Sequence, residues 1–287
     1  MDEAQTFRPG DGPYPGLLAT SADRPRELRV RGDLCGEIRR AAVVGSREPD
    51  AYGEEMARSI SAGLARAGVS VVSGGARGID AAAHRGALEA GGHTVAVLGT
   101  GVDVPYPAQH RALFAELLEA GGALVSELPD GAQAFKSHFP ARNRIISGMS
   151  EVVVVVQARV QSGALITADW ARSQGRPVLA VPGDAREPLS GGPHALLRSG
   201  AKLVGSAADV LAEMGLAEVR AQRVLPALSC AGSALLAALG RKPRHAGEVA
   251  SAAGLPVGNA LAGLLALELE GLCEQRPGHY FLRREGI

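Results

Sequence analysis

The sequence predicts an α/β protein in which a doubly wound, mostly parallel sheet is followed by a small C-terminal winged-helix domain. Two observations carry the first part. Short apolar runs alternate with amphipathic helical stretches from about Arg40 to Met214, and the runs are apolar at every position rather than at every second one. A strand that is apolar throughout is covered on both faces, as in a parallel sheet packed between helices. A third observation, three short helical segments ahead of a hairpin-like tail, defines the second part.

Taken in order, residues 1–39 form an arm leading into the first domain, and up to residue 27 they are rich in Pro, Gly and charge, so an irregular path is expected there. The domain proper spans 40–216. Its strands read AAVVG, VSVVSGG, TVAVLGTG, ALVSEL, EVVVVVQ, RPVLAVPG and AKLVG. Between and after them lie the helical stretches DAYGEEMARSISAGLARAG, GIDAAAHRGALEAGG, PAQHRALFAELLEAGG, FPARNRIISGMS, GALITADWARSQG, PHALLRSG and SAADVLAEMG. Pro140 suits a first helical position, so the fourth of these helices is expected to start there. Residues 217–229 read as a linker, and 230–287 as the winged helix: CAGSALLAALG, HAGEVASAAG, PVGNALAGLLALELEG and the hairpin GLCEQRPGHYFLRR. In a winged helix the recognition helix enters a DNA groove, but other members of the fold bind protein. The candidate recognition helix, Pro256 to Glu270, carries no Lys or Arg, which favours protein contact or a structural cap.

Composition excludes several classes. The 287 residues hold 30 basic and 30 acidic side chains, so no global field draws the chain to nucleic acid or membrane and any anion site must be local. Cys35, Cys230 and Cys273 are odd in number and widely spaced, which argues against a disulfide framework or a zinc site and for a reducing cytoplasm. No signal peptide opens the chain and no apolar run approaches the ~20 residues of a membrane span.

In an open parallel sheet, ligands bind beyond the carboxyl ends of the strands, where helix N-termini present free N–H groups. There the sequence places Gly45-Ser46-Arg47, then Gly74, Gly75 and Arg77, then Gly99 and Gly101, then Ser162-Gly163 beyond Gln157, then Pro182-Gly183. Small residues on one edge suit a surface that a ligand approaches closely, although some only permit the turn. GxGxxG and GxxxxGK[ST] are both absent, so neither a nicotinamide cofactor nor a phosphate-loop nucleotidase is expected. Arg47 and Arg77 stand after successive strands, placed for an anion or, for Arg47, for a salt bridge with Glu48 or Asp50. Asp80 and His84 share a helical face; with no third ligand in view, Asp80 is read as complementing the helix N-terminus and His84 as packed or capping.

Between Asp130 and Glu151 there is no acidic residue, while Lys136, Arg142 and Arg144 are present. Helical periodicity places Arg142 on the apolar arc of Ile145, Ile146 and Met149, and Arg144 opposite. A buried arginine needs a counter-charge: a ligand phosphate, with Asn143 beside it, or an internal acid such as Asp80 or Glu127. Aromatic residues are only 3% of the chain, so phosphate contacts should dominate any nucleic-acid binding.

GSREPDAYG, SGGARGIDAAAH, AVLGTGVDVPYP, FPARNRIISGMSEVVVVVQA, SGALITA and VLAVPG, in this order and spacing, resemble the DNA-processing protein A (DprA/Smf) family of bacteria from Tyr14 to Met214. The tail resembles the winged helix some members carry, and the family's N-terminal helical module is expected to be missing or reduced. The resemblance implies an extended Rossmann-like domain, usually homodimeric through that domain, that binds single-stranded DNA and loads the RecA recombinase in natural transformation, without catalysis, metal or cofactor. By the same resemblance Arg47 is a DNA-contacting arginine, Lys136 an essential lysine and Phe139 a base-contacting aromatic. Ser46, Gly74, Gly75, Arg77, Arg142, Asn143, Arg144, Ser162 and Gly163 complete the expected DNA-binding set. The rival reading is a phosphoribohydrolase acting on nucleoside monophosphates, marked by PGGxGTxxE; the corresponding QSGALITAD lacks the PGG and the glutamate, leaving Asp169 as a weak substitute. A partner-binding scaffold acting through the winged helix is the third.

Overall fold

A computed structural model describes residues 4–216, 230–240, 242–269 and 271–283, and the expected linker 217–229 lies outside them. The chain divides into two compact units, residues 1–219 and 220–287.

In the first unit nine strands form one sheet: β1 (Gln5–Phe7), β2 (Leu28–Gly32), β3 (Arg40–Val44), β4 (Ser70–Ser73), β5 (Thr94–Val97), β6 (Ala123–Ser126), β7 (Val152–Val155), β8 (Val178–Ala180) and β9 (Lys202–Leu203). The helices are α1 (Gly16–Ala19), α2 (Ala51–Arg66), α3 (Ile79–Glu89), α4 (Arg111–Glu119), α5 (His138–Gly148), α6 (Gly163–Ser173), α7 (Gly191–Arg198) and α8 (Ala207–Glu213). Spatial order is β1-β2-β6-β5-β4-β3-β7-β8-β9. The chain steps outward from β3 to β6, then returns to lay β7 on the other side of β3, with Ala41 beside Val152 and Val44 beside Val155 in parallel register. This reversal between β3 and β7 makes a crevice at their carboxyl ends.

The central strands β3 to β8 each feed a core on either face of the sheet. Along β7, Val153 and Val155 pack with Ile145, Ile146 and Met149, whereas Val152 and Val154 join Ile60, Leu64 and Ile79. Alternate side chains point to opposite faces, which is why a fully apolar run is required. Asp50 starts α2 by accepting from the Gly53 N–H at 2.8 Å, and Gln157, beyond β7, holds Asp50 through Nε2 at 2.8 Å.

Two expectations need correction. The arm is not irregular throughout: β1 and β2 extend the sheet antiparallel beyond β6, with Val30 opposite Val125. LRVRG alternates, so Leu28 and Val30 are buried while Arg29 and Arg31 are not, and Tyr14 and Leu18 join the same core. Second, α5 begins at His138, two residues before Pro140. First-turn N–H groups have no intrahelical acceptor, so a proline at the third position loses no bond.

The second unit contains α9 (Cys230–Ala238), β10 (Arg244–His245), α10 (Ala246–Ala253), α11 (Val257–Leu269), β11 (Cys273–Arg276) and β12 (Tyr280–Arg283). The three strands pair antiparallel in the order β10-β12-β11. α10 and α11 meet at 104°, a helix-turn-helix angle, around a core that includes Leu235, Val249, Leu264 and Phe281. This is a winged helix. Among the described residues no single helix is long and apolar enough to cross a membrane.

Candidate functional site

The crevice predicted by the strand reversal is a cavity of about 620 Å³. β3 delivers Ser46 and Arg47 to it, the turn before α5 delivers Lys136, α5 itself delivers Phe139, Arg142 and Asn143, and the segment between β7 and α6 delivers Arg159, Ser162 and Gly163. A second cavity of about 400 Å³ shares Arg47, Tyr106, Phe139 and Arg142 with the first and adds Gly74 and Arg77, so the two are continuous. Of the expected set, Gly75 and Arg144 alone line neither.

The N-terminus of α6 points at the first cavity. Ser162 holds the capping position with φ −130° and ψ 157° but gives the helix no side-chain cap, and its Oγ is buried without a partner. Asn143 Nδ2 fastens this turn by donating to the Gly163 carbonyl at 3.1 Å. An uncapped first turn leaves N–H donors and the positive end of the helix dipole for an anion.

Neither acid expected as an alternative partner takes Arg47. Glu48 lies 3.7 Å from Arg77, and Asp50 is engaged by α2 and Gln157. The Arg47 guanidinium instead sits 5.4 Å from the centre of the Phe139 ring, whose centre is 5.2 Å from that of Tyr106. A cation over a ring keeps its N–H fork for a ligand.

Arg142 and Arg144 have different fates, as their opposite placement on α5 requires. Arg144 makes a two-pronged bridge to Glu127 at 2.7 and 2.6 Å and donates from Nε to the Asp23 carbonyl at 2.9 Å. It pins α5 rather than facing a cavity. Arg142 is only 5% exposed, donates from Nη1 to the Val97 carbonyl, and has a buried Nε with no partner. Its nearby carboxylate is Asp80, which accepts from the N–H groups of Gly74 and Ala76 at 3.1 and 3.3 Å. Burial pulls Arg142 down to about 10, with Asp80 opposing, so it remains a cation at neutral pH. Burial likewise pushes Asp80 up, against the pull of Arg142 and the two N–H groups. Gly74 is squeezed between them: a Cβ there would lie 2.6 Å from both Arg142 Cζ and Asp80 Oδ2.

His84 is packed. Thr94 Oγ1 gives its proton to the Val71 carbonyl at 2.7 Å, so the 2.7 Å contact with His84 Nδ1 requires Nδ1 to carry the hydrogen. The remaining Nε2 is buried without a partner, and burial first, then the positive charges of His110 and Arg142, pulls the imidazole down to about 3. Among the described residues no group of three or more His, Cys, Asp or Glu side chains could hold a metal. Asp169 lies 4.0 Å from Arg172 on the exposed side of α6 and lines neither cavity.

Sequence reasoning missed Arg159 and Tyr106. Arg159 stands four residues before Gly163 in the loop that β7 feeds, a position the strand-end rule covers. Tyr106 follows β5 by nine residues, and only the path of that loop brings it back beside Phe139.

The fold and the crevice together define the class: a Rossmann-like protein with a cationic groove at its topological switch point. The chain belongs to the DNA recombination-mediator protein A family, the DprA/Smf proteins, whose description matches residues 5–215, while the DprA winged helix domain matches residues 219–279. A Mycobacterium tuberculosis relative is 44% identical over 255 residues, covering 86% of this chain and 65% of its own length. This chain thus spans just under two thirds of that relative. The crystal structure of DprA from Streptococcus pneumoniae is similar with a TM-score of 0.69 and 42% identity, over 74% of this chain and 75% of that one. DprA from Helicobacter pylori, whose structure concerns its single-stranded DNA binding mode, gives a TM-score of 0.64 and 26% identity over 74% and 95% of the two chains.

Proposed function

We propose that the first unit binds single-stranded DNA in the groove, protects it, and loads RecA on it during natural transformation and recombination. One observation carries the reading. Arg47, Lys136, Arg142 and Arg159 converge with the α6 N-terminus on one crevice in a chain whose net charge is zero. Such a crevice neutralises phosphates without reading sequence, so affinity falls with salt and depends little on base order. The likeness to Helicobacter pylori DprA supports the same ligand. The chain works as a cytoplasmic homodimer through its Rossmann-like domain, and the winged helix contacts a partner or caps the fold.

In this reading the groove binds and does not cleave. The stretch QSGALITAD, residues 161–169, lacks the PGG and the glutamate, and Asp169 lines neither cavity and lies 4.0 Å from Arg172. Anisotropy titrations test the binding: oligo-dT is held far more tightly than a duplex, and Arg47→Ala and Lys136→Ala each weaken it sharply. Equal affinity for the duplex, or unchanged affinity in both variants, would sink the groove assignment. Incubation with nucleoside monophosphates releases no free base; release that disappears in Asp169→Ala would favour the hydrolase instead.

A further inference from the structure

Two arginines are buried among the described residues, Arg142 and Arg40, each 5% exposed. Arg142 has Asp80 nearby, but Arg40, the first residue of β3, makes no ion pair among the described residues. Three carbonyls hold its guanidinium instead, those of Ile38 and Gly36 at 3.0 Å and that of Leu34. Carbonyls occupy N–H groups without bringing a counter-charge, and the buried Nε has no acceptor at all. Arg40 borders a third cavity, of about 290 Å³, at the amino ends of β3 and β7 and so at the end of the sheet opposite the groove.

The carbonyls that face Arg40 also fix where the amides of this loop point. Across a trans peptide the C=O and the following N–H point in opposite directions, so the N–H groups of Cys35, Glu37 and Arg39 turn away from the guanidinium. That of Cys35 meets an anion, Asp33 Oδ1, at 2.7 Å. Those of Glu37 and Arg39 have no acceptor among the described residues, and both residues line the cavity. Two acids line it as well. Glu151 is taken by Arg39, whose Nε lies 2.8 and 3.1 Å from its two oxygens, whereas the exposed Glu37 carboxylate has no partner among the described residues. Tyr14, Leu17, Ile38 and Met149 give apolar wall. The Tyr14 hydroxyl donates to the Pro25 carbonyl at 3.0 Å, and burial pushes it up to about 12, so the ring adds no charge.

The lining therefore leaves open one buried cation, two amide donors and one carboxylate. A phosphate would be repelled by Glu37, and a simple amine would leave Arg40 without its counter-charge. A small ligand carrying both charges on adjacent carbons, with an apolar remainder, answers every part, and the volume lies at the lower end, about 300 Å³, of ligand cavities. We propose that this cavity binds a free α-amino acid with an apolar side chain. Its carboxylate accepts from the Glu37 and Arg39 amides in the field of Arg40, its ammonium pairs with the Glu37 carboxylate, and its side chain packs on Tyr14, Ile38 and Met149. None of these residues belongs to the groove at the other end of the sheet.

Calorimetric titration of the full chain compares L-leucine with 4-methylpentanoate and 3-methylbutylamine, which keep the same side chain but only the carboxylate or only the ammonium. Leucine binds saturably, and each analogue binds roughly tenfold more weakly or worse, the loss expected for one charged hydrogen-bonding end. Glu37→Gln, which changes an exposed side chain engaged with nothing, unfolds at the wild-type temperature; it weakens leucine roughly tenfold and leaves 4-methylpentanoate unchanged. Leucine that binds no more tightly than the two analogues overturns the proposal, and so does a folded Glu37→Gln that holds leucine as wild type does. So, too, does the absence of saturable binding by leucine, methionine or phenylalanine up to about 10 mM. The wild-type comparison decides the matter even if the variant does not fold.

Discussion

Replacing Lys136 with alanine removes one of three cations, Arg47, Lys136 and Arg159, that line the first cavity with no acidic partner among the described residues. Each phosphate contact on a single strand releases counterions and contributes about −0.7 to the slope of log K against log salt. Three contacts give a slope of about −2, and Lys136→Ala should bring it to about −1.4. One contact then amounts to about 1 kcal/mol at 0.1 M salt relative to 1 M, close to a fivefold change in affinity. Lys136 is exposed and anchors no core element, so the folded state should change by less than about 0.5 kcal/mol. The assay is fluorescence anisotropy of labelled oligo-dT across a salt series, with thermal unfolding as the control. A slope equal to that of wild type refutes Lys136 as a phosphate contact, whatever happens to affinity at a single salt concentration. Arg144→Ala is the matched comparison: it removes a cation from the same helix that Glu127 already holds, and the slope should not move.

Arg144→Ala should instead destabilise the first unit by about 1–3 kcal/mol, because a partly buried Glu127 loses its bidentate partner; chemical denaturation reads this. Gly74→Ala places a methyl against the ends of Arg142 and Asp80, which must shift out of their buried pairing, and should cost about 1–3 kcal/mol in the same measurement while weakening oligo-dT. His84 is expected to make the fold acid-sensitive. Its folded pKa of about 3 lies below the ordinary 6.5, so the unfolded chain binds the extra proton and stability is lost as pH falls from 6.5 towards 3, at up to about 1.4 kcal/mol per pH unit. His84→Gln should flatten the stability profile between pH 6.5 and about 5, above most carboxyl titrations; an unchanged profile refutes the assignment of a bare, buried Nε2.

The central parallel strands were legible because β3 to β8 are covered on two faces, so every residue of Val152–Val155 had to be apolar. β2 was not, since half-covered LRVRG offers only Leu28 and Val30 between arginines, a signal too short to rise above the surrounding Pro and Gly. At the site, strand ends and a local charge imbalance pointed to Arg47 and Lys136, and helical periodicity separated Arg142 from Arg144. Partners were another matter. Asp80 meets Arg142 only because β4 and β5 lie side by side next to β3, and Tyr106 meets Phe139 only through the course of a loop. Periodicity assigns a face, but contact between distant segments is decided by the order of strands in the sheet.

That order also explains why positive charge abuts the core strand. Between β3 and β7 the sheet leaves a crevice whose floor is protein and whose dielectric is low, so a fixed cation there acts more strongly than one on an open surface. A lysine in that floor could give up its proton; an arginine pulled only to about 10 keeps its charge at neutral pH. Asp80 offsets part of the charge, and its other bonds hold the β4–α3 turn, so the pair shapes the turn that carries Gly74 and Arg77 while Arg142 still borders both cavities. The alternatives of phosphate or internal carboxylate are therefore not exclusive. The carboxylate lets the cation exist in the core before any ligand arrives, and the guanidinium that borders both cavities still has one buried N–H, at Nε, without an acceptor.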